Sequence, residues 1–166
     1  MILKQKNIFS NNECDSIIQL EKGNEQYWYY GDRSYTSYSL IYNNETDWIF
    51  NRLKEFVEKT ANVKIIKLKK EIHFHKFVKN DKFELHTDLV QDRVFAVGVS
   101  LNENYDGGDF VCYNPNKIII DKSVGNTYLF DVQIKHEIKK VLSGIRYSLL
   151  WFLQKEHLKF ESNTII

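Results

Sequence analysis

The spacing of apolar residues changes character once along this chain. Over the first third they recur at helical intervals, and after Ala61 they alternate with polar ones. Ser10 is a suitable N-cap for a helix over Asn11–Lys22, with Ile17, Ile18 and Leu20 among its apolar positions. Asn44 or Thr46 can cap a second helix running to about Thr60. Its Trp48, Ile49, Leu53, Phe56 and Val57 fall on one stripe, which predicts packing on a sheet.

Beyond Ala61 the pattern predicts strands. Val63–Lys70 alternates apolar and basic residues, and Glu71–Val78 alternates through Ile72, Phe74 and Phe77. Val94–Leu101, Phe110–Tyr113, Lys117–Ile120, Thr127–Phe130, His136–Val141 and Arg146–Leu153 read the same way. Ser34–Tyr42, rich in Tyr and Ser, is a further strand. Turn residues punctuate the series at Asn102–Gly108, Asn114–Asn116, Ser123–Asn126 and Ser143-Gly144. Many short strands between turns favour a sandwich or barrel of the jelly-roll type, with the two helices covering one sheet. The expected class is mainly β with N-terminal helices (α+β). No repeat, low-complexity tract or linker divides the chain, so 1–166 is expected to form a single domain.

Composition narrows the function classes. At 166 residues roughly 70% of the unfolded surface can be removed from water, enough for a buried core. The net charge is +1 and Lys is interleaved with Glu and Asp, so neither nucleic acid nor a membrane surface is an expected partner. Cys14 and Cys112 lie far apart in no metal-type spacing and read as two free, buried thiols in a reducing compartment. Met1–Lys6 is too short and too charged for a signal peptide, and no apolar stretch approaches membrane-spanning length. A soluble, cytoplasmic protein is the expectation. Nothing in the sequence sets its oligomeric state.

The candidate chemistry is concentrated in His86-Thr87-Asp88, His136 and Arg146. On an extended segment His86 and Asp88 point to the same side, because side chains alternate with period two. With His136 from a distant strand they make two imidazoles and one carboxylate, the 2-His-1-carboxylate set of non-haem Fe(II) oxygenases. A lone HxD occurs often by chance, and a histidine is more often structural than a ligand. Arg146, among Ile145, Tyr147, Leu149, Leu150 and Trp151, adds weight: a buried guanidinium needs an anion, and its fork can grip a carboxylate in two parallel bonds. Ser148, on the same strand face, can donate to that carboxylate. His73 and His75 share one face of a strand without a carboxylate beside them, and read as packed or surface residues next to the site. His157 reads as exposed. Gly107-Gly108 is a turn first. The aromatic stretch Tyr27–Tyr30, with Tyr35 and Tyr38, reads as half-buried sheet that could line a substrate groove.

These residues carry a resemblance over nearly the whole chain. It resembles the 2-oxoglutarate/Fe(II)-dependent oxygenase superfamily, in its prolyl 4-hydroxylase-like branch, with the lysyl hydroxylase domain a close relative. Phe9–Leu20 with Glu13-Cys14-Asp15 looks like the family's opening helix, and Phe77–Asp88 like the run into HxD. Ser100-Leu101-Asn102 through Gly107-Gly108-Asp109-Phe110 resembles its "YLN…GGxxxF" stretch. His136-Glu137-Ile138 followed by Val141 and Gly144-Ile145-Arg146-Tyr147-Ser148-Leu149 is close to its "HEV…V..G.RYSL" signature. The resemblance implies a double-stranded β-helix (jelly roll, cupin-like), Fe(II) on His86, Asp88 and His136, and 2-oxoglutarate on Arg146 and Ser148. It further implies O2 as oxidant, ascorbate for sustained activity, and hydroxylation of an unactivated C–H bond. A peptidyl proline is the expected substrate. The alternatives are another protein side chain such as lysine, or a free small molecule. From a different class, a catalytically silent jelly-roll module would keep only a metal or ligand pocket. The chain departs from the family at Phe77 and Ser100, where many and some members, respectively, have Tyr. It also has Phe152 where DNA- and RNA-demethylating members carry a second Arg.

Overall fold

Ser10 opens the first helix with a reciprocal cap: its hydroxyl accepts from the Glu13 N–H at 3.3 Å, and the Glu13 carboxylate accepts from the Ser10 N–H at 2.8 Å. In this computed structural model, which describes residues 3–21, 26–30, 33–90 and 92–161, the elements follow in chain order. They begin with β1 (Leu3–Asn7), α1 (Asn11–Ile18), β2 (Gln26–Tyr30), β3 (Arg33–Ile41) and α2 (Asp47–Ala61). Then come β4 (Val63–Ile65), β5 (Glu71–Phe77), β6 (Phe83–His86), β7 (Arg93–Ser100), β8 (Asp106–Gly107) and β9 (Phe110–Asn114). The last are β10 (Asn116–Ile119), β11 (Asn126–Asp131), β12 (Lys135–Ile138), β13 (Val141–Ser143), β14 (Arg146–Gln154) and β15 (Leu158–Phe160).

Among the described residues, one antiparallel sheet runs β1-β11-β7-β14-β5-β3-β2 and a smaller one runs β10-β9-β12-β6. The outer face of the large sheet takes the helices. Ile49, Phe50, Leu53 and Val57 of α2 are fully buried in one cluster with Ile72, Phe74, Val97, Leu149 and Trp151 of the strands. The inner face packs on the small sheet: Phe77, Ala96 and Phe130 cluster with Phe110, Cys112 and Ile138. This is the mainly β, jelly-roll architecture with covering helices that the alternation predicts. No helix is long and apolar enough to cross a membrane.

Several boundaries differ from expectation. The first helix ends at Ile18, and the stretch expected to continue to Lys22 leaves the described residues after position 21. Thr46 precedes the second helix, but its hydroxyl donates to the Ile41 carbonyl at 2.7 Å and does not cap. Val63–Lys70 is not one strand: only Val63–Ile65 pairs, with a strand after β14 that the pattern does not announce, and Ile66 is exposed. His136–Val141 is two strands. Between them Lys139 and Lys140 turn their backbone toward the glycine turn, the Lys139 N–H to the Asp109 carbonyl and the Gly108 N–H to the Lys140 carbonyl. β1, with its run Lys4-Gln5-Lys6, carries too little apolar patterning to be read from sequence, yet pairs with β11 at the sheet edge.

Candidate metal and carboxylate site

His86 is the last residue of β6 and lies opposite His136 of β12 in the small sheet. Asp88 follows two residues on, held by its N–H donating to the Val132 carbonyl at 3.0 Å. One ligand atom from each of the three lies within 4.8 Å of the others. The His86 Nε2 is 3.5 Å from Asp88 Oδ1, and the His136 Nε2 is 3.3 Å from Asp88 Oδ2.

The other ring nitrogens fix the tautomers. His86 Nδ1 lies 2.6 Å from the Glu84 carbonyl and His136 Nδ1 lies 2.9 Å from the Ile134 carbonyl, so each Nδ1 carries the proton and donates it. In neutral imidazoles the Nε2 lone pairs then face the carboxylate lone pairs. A shared cation relieves that arrangement, and the buried Asp88 Oδ2 has no hydrogen-bond partner. Two nitrogens and a carboxylate oxygen converging this way fit Fe(II) with positions left open. Rings shield the site: Phe83 stands edge-on to His86 at 4.2 Å and Phe130 edge-on to His136 at 4.9 Å.

A pocket of about 240 Å³ opens beside these residues. Its lining includes Phe77, Phe110, Leu150 and Phe152, together with His73, His75 and Arg93. The histidine pair thus borders the site, as packed residues of β5. Burial pushes His75 down to about 3, with His73 and Arg146 adding to the effect and Asp88 opposing it. Arg93 lays its guanidinium over the Phe152 ring, 3.7 Å from the centroid.

Arg146 lies past Phe77 and Leu150 and does not line the open pocket itself. It pairs in register with Phe77, whose ring centre is 5.4 Å from the guanidinium carbon. Only 3% of the residue is exposed. Its Nη1 donates to the Ser148 hydroxyl at 2.7 Å, it also hydrogen-bonds with Tyr105 and Tyr128, its Nε has no partner, and among the described residues no acid pairs with it. A buried cation with an unspent donor calls for an anion from outside the chain. Asn102 holds the strand end in place, donating to the Ile145 carbonyl at 2.7 Å and accepting from the Tyr147 N–H at 2.8 Å. The turn at Gly107-Gly108 has positive φ at both residues. A Cβ on Gly108 would come within 3.1 Å of the Tyr105 ring and 3.3 Å of Arg146 Cδ, so the turn closes on the stem of the arginine side chain.

His157 departs from expectation. It is buried, and its Nδ1 accepts the Gln154 N–H at 2.9 Å in the turn before β15. The side chains of Tyr27–Tyr30 lie outside the described residues, while Tyr35 packs on Phe77 at the pocket wall, rings stacked at 5.1 Å. Cys14 and Cys112 are free and buried, and burial pushes both thiols up to about 12, which keeps them unreactive. The sequence offered no signal for Arg93 as a pocket residue, nor for Tyr105 and Tyr128 as neighbours that hydrogen-bond with Arg146. The three come from separate turns and strands.

No family model and no curated protein matches the sequence. Solved structures do match the fold. An oxidoreductase of the 2OG-Fe(II) oxygenase family from Burkholderia pseudomallei aligns with TM-score 0.74 and 17% identity, over 93% of this chain and 86% of that one. A prolyl-4-hydroxylase from Pseudomonas putida aligns with TM-score 0.72 and 15% identity, over 92% of each chain. A prolyl hydroxylase from Trichoplax adhaerens, in complex with a hypoxia inducible factor oxygen degradation domain peptide fragment, aligns with TM-score 0.74 and 15% identity, over 93% and 84%. The chain has the jelly-roll fold of the 2-oxoglutarate/Fe(II) oxygenases and prolyl hydroxylases.

Proposed function

We propose that this chain is an Fe(II)- and 2-oxoglutarate-dependent dioxygenase that hydroxylates an unactivated C–H bond, with a peptidyl proline as substrate. The observation that carries the reading is the pairing of two unmet demands in one barrel. The His86–Asp88–His136 donor set fits a cation, and the buried Arg146, with Nε unpartnered among the described residues, fits an anion. Iron and a five-carbon 2-oxo dicarboxylate meet both. In this reading His86, Asp88 and His136 hold the metal, and Arg146 with Ser148 holds the distal carboxylate. Together iron and 2-oxoglutarate supply O2 activation, with one oxygen atom going to the C–H bond and the other to succinate as CO2 leaves.

The chain's own part is to orient and to exclude water. The carbonyls of Glu84 and Ile134 fix the imidazole tautomers, and Phe83, Phe110 and Phe130 keep the cluster dry. A peptide substrate is supported by the exposed Leu85, Leu89 and Val90 flanking the HxD residues, which offer an apolar rim, and by the peptide bound to the Trichoplax adhaerens structure. Two buried free thiols suit a reducing, cytoplasmic setting. The test is incubation of the purified chain with Fe(II), 2-oxoglutarate, ascorbate and air over pooled proline- and lysine-containing peptides. Mass spectrometry should find a gain of one oxygen on proline peptides. A gain confined to lysine peptides, or none with any peptide, would overturn the substrate assignment.

A further inference from the structure

Gly98 occupies the interior of β7, a central strand, where glycine weakens the element and needs a reason. Its φ is not among the positive values, so the backbone does not require it. Its neighbour does. Tyr128 of β11 stands opposite Gly98 in register and lays its ring across the strand. A Cβ at position 98 would fall 2.2 Å from the ring's Cε2 and Cζ and 2.4 Å from the hydroxyl oxygen. Across β7 the next strand is β14, where Leu150 is in register with Gly98, and Ser148 and Arg146 follow on the same face. The glycine is therefore the gap through which a tyrosine from β11 reaches the arginine of β14.

We propose that Tyr128, admitted by Gly98, positions the co-substrate: its hydroxyl donates to the distal carboxylate of 2-oxoglutarate beside Arg146. The assignment rests on the functional reading above. Ser148 takes one guanidinium nitrogen and Nε remains unspent, so a carboxylate there has donors of both kinds to meet. Phe77, whose ring lies against the guanidinium, has no hydroxyl to give. Tyr128 is buried, and burial pushes its phenol up to about 12 while Arg146 pulls the other way by charge and hydrogen bonding. At neutral pH it therefore keeps its proton and acts as a donor.

The test is calorimetric titration of 2-oxoglutarate into the full chain loaded with Mn(II), which blocks turnover. A parallel titration uses 2-oxopentanoate, equal in length without the distal carboxylate. Tyr128→Phe keeps the ring volume and should weaken 2-oxoglutarate about ten-fold, the scale of one hydrogen bond to a charged group. Its Mn(II) and 2-oxopentanoate affinities should match the wild type. Gly98→Ala, which drives the ring from its place, should show the same selective loss. Unchanged 2-oxoglutarate affinity in Tyr128→Phe overturns the proposal, and so does an equal loss for both acids, which would report a general disturbance. A wild-type chain that binds no 2-oxoglutarate overturns the functional reading itself, and this assignment falls with it.

Discussion

At the scale of single residues the site is a set of unmet valences, and each suggests a measurement. Removing a proposed ligand by His86→Ala, Asp88→Ala or His136→Ala should abolish tight Mn(II) or Fe(II) binding while thermal stability without metal holds or rises. The reason is that lone pairs facing one another at 3.3 and 3.5 Å gain nothing from each other without a cation. A variant that still binds metal like the wild type would remove that residue from the ligand set. Arg146→Lys turns a forked contact into a point contact, and should weaken 2-oxoglutarate by about 1.5–3 kcal/mol, roughly ten- to a hundred-fold. Arg146→Ala should be worse, leaving a buried carboxylate without a cation. Calorimetry with Mn(II) reads both variants, and unchanged binding in both would remove the arginine from the site. The spacing of His86 and Asp88 made them legible in the sequence, because a period of two puts both on one side of an extended segment. The Tyr128–Gly98 contact was not legible, because it joins positions 30 residues apart in sequence (128 − 98) through a strand register that no local pattern encodes.

Among the elements, the helices were legible because their signals are local. The Ser10–Glu13 box is a four-residue pattern, and Glu13 also grips Arg52 of α2 at 2.7 Å, locking the two helices together. Ser10→Ala should cost about 0.5–2 kcal/mol in chemical denaturation, the range for losing an N-cap. Leu53→Ala, in the fully buried stripe of α2, should cost about 2–5 kcal/mol, the range for a core leucine. A loss under 0.5 kcal/mol for Leu53→Ala would mean that α2 does not dock on the sheet as described. The strand errors have one physical source. Val63–Lys70 and His136–Val141 each alternate with a break, at Ile65-Ile66 and at Lys139-Lys140, and alternation records which side a residue faces and not whether a partner strand lies alongside. At Lys139 and Lys140 the neighbouring backbone is the glycine turn, and it bends the strand into two.

For the whole molecule, buried histidines set the response to acid. His75, His73 and His157 are all lowered, in each case first by burial, and His75 reaches about 3 from an ordinary value of 6.5. The groups that face His75 electrostatically are His73 and Arg146, which disfavour its charge, and Asp88, which favours it. Below pH 6.5 the unfolded chain takes up protons that the folded chain refuses, so stability is full above that value and falls as the pH drops toward 3. Each such histidine contributes a slope of up to about 1.4 kcal/mol per pH unit. Urea melts at pH 7 and pH 5 should show the loss, and His75→Gln should reduce it. Equal stability at the two pH values would mean that these imidazoles accept protons in the folded state.

Under the proposal, one barrel brings a metal triad and a buried arginine together around 2-oxoglutarate. The most direct test is succinate release from 2-oxoglutarate by the purified chain in air with Fe(II) and ascorbate, set against His136→Ala and against the wild type with a chelator. Succinate should form with the wild type without chelator, and with neither control. No succinate above the His136→Ala background, or release that survives both the substitution and the chelator, would contradict it.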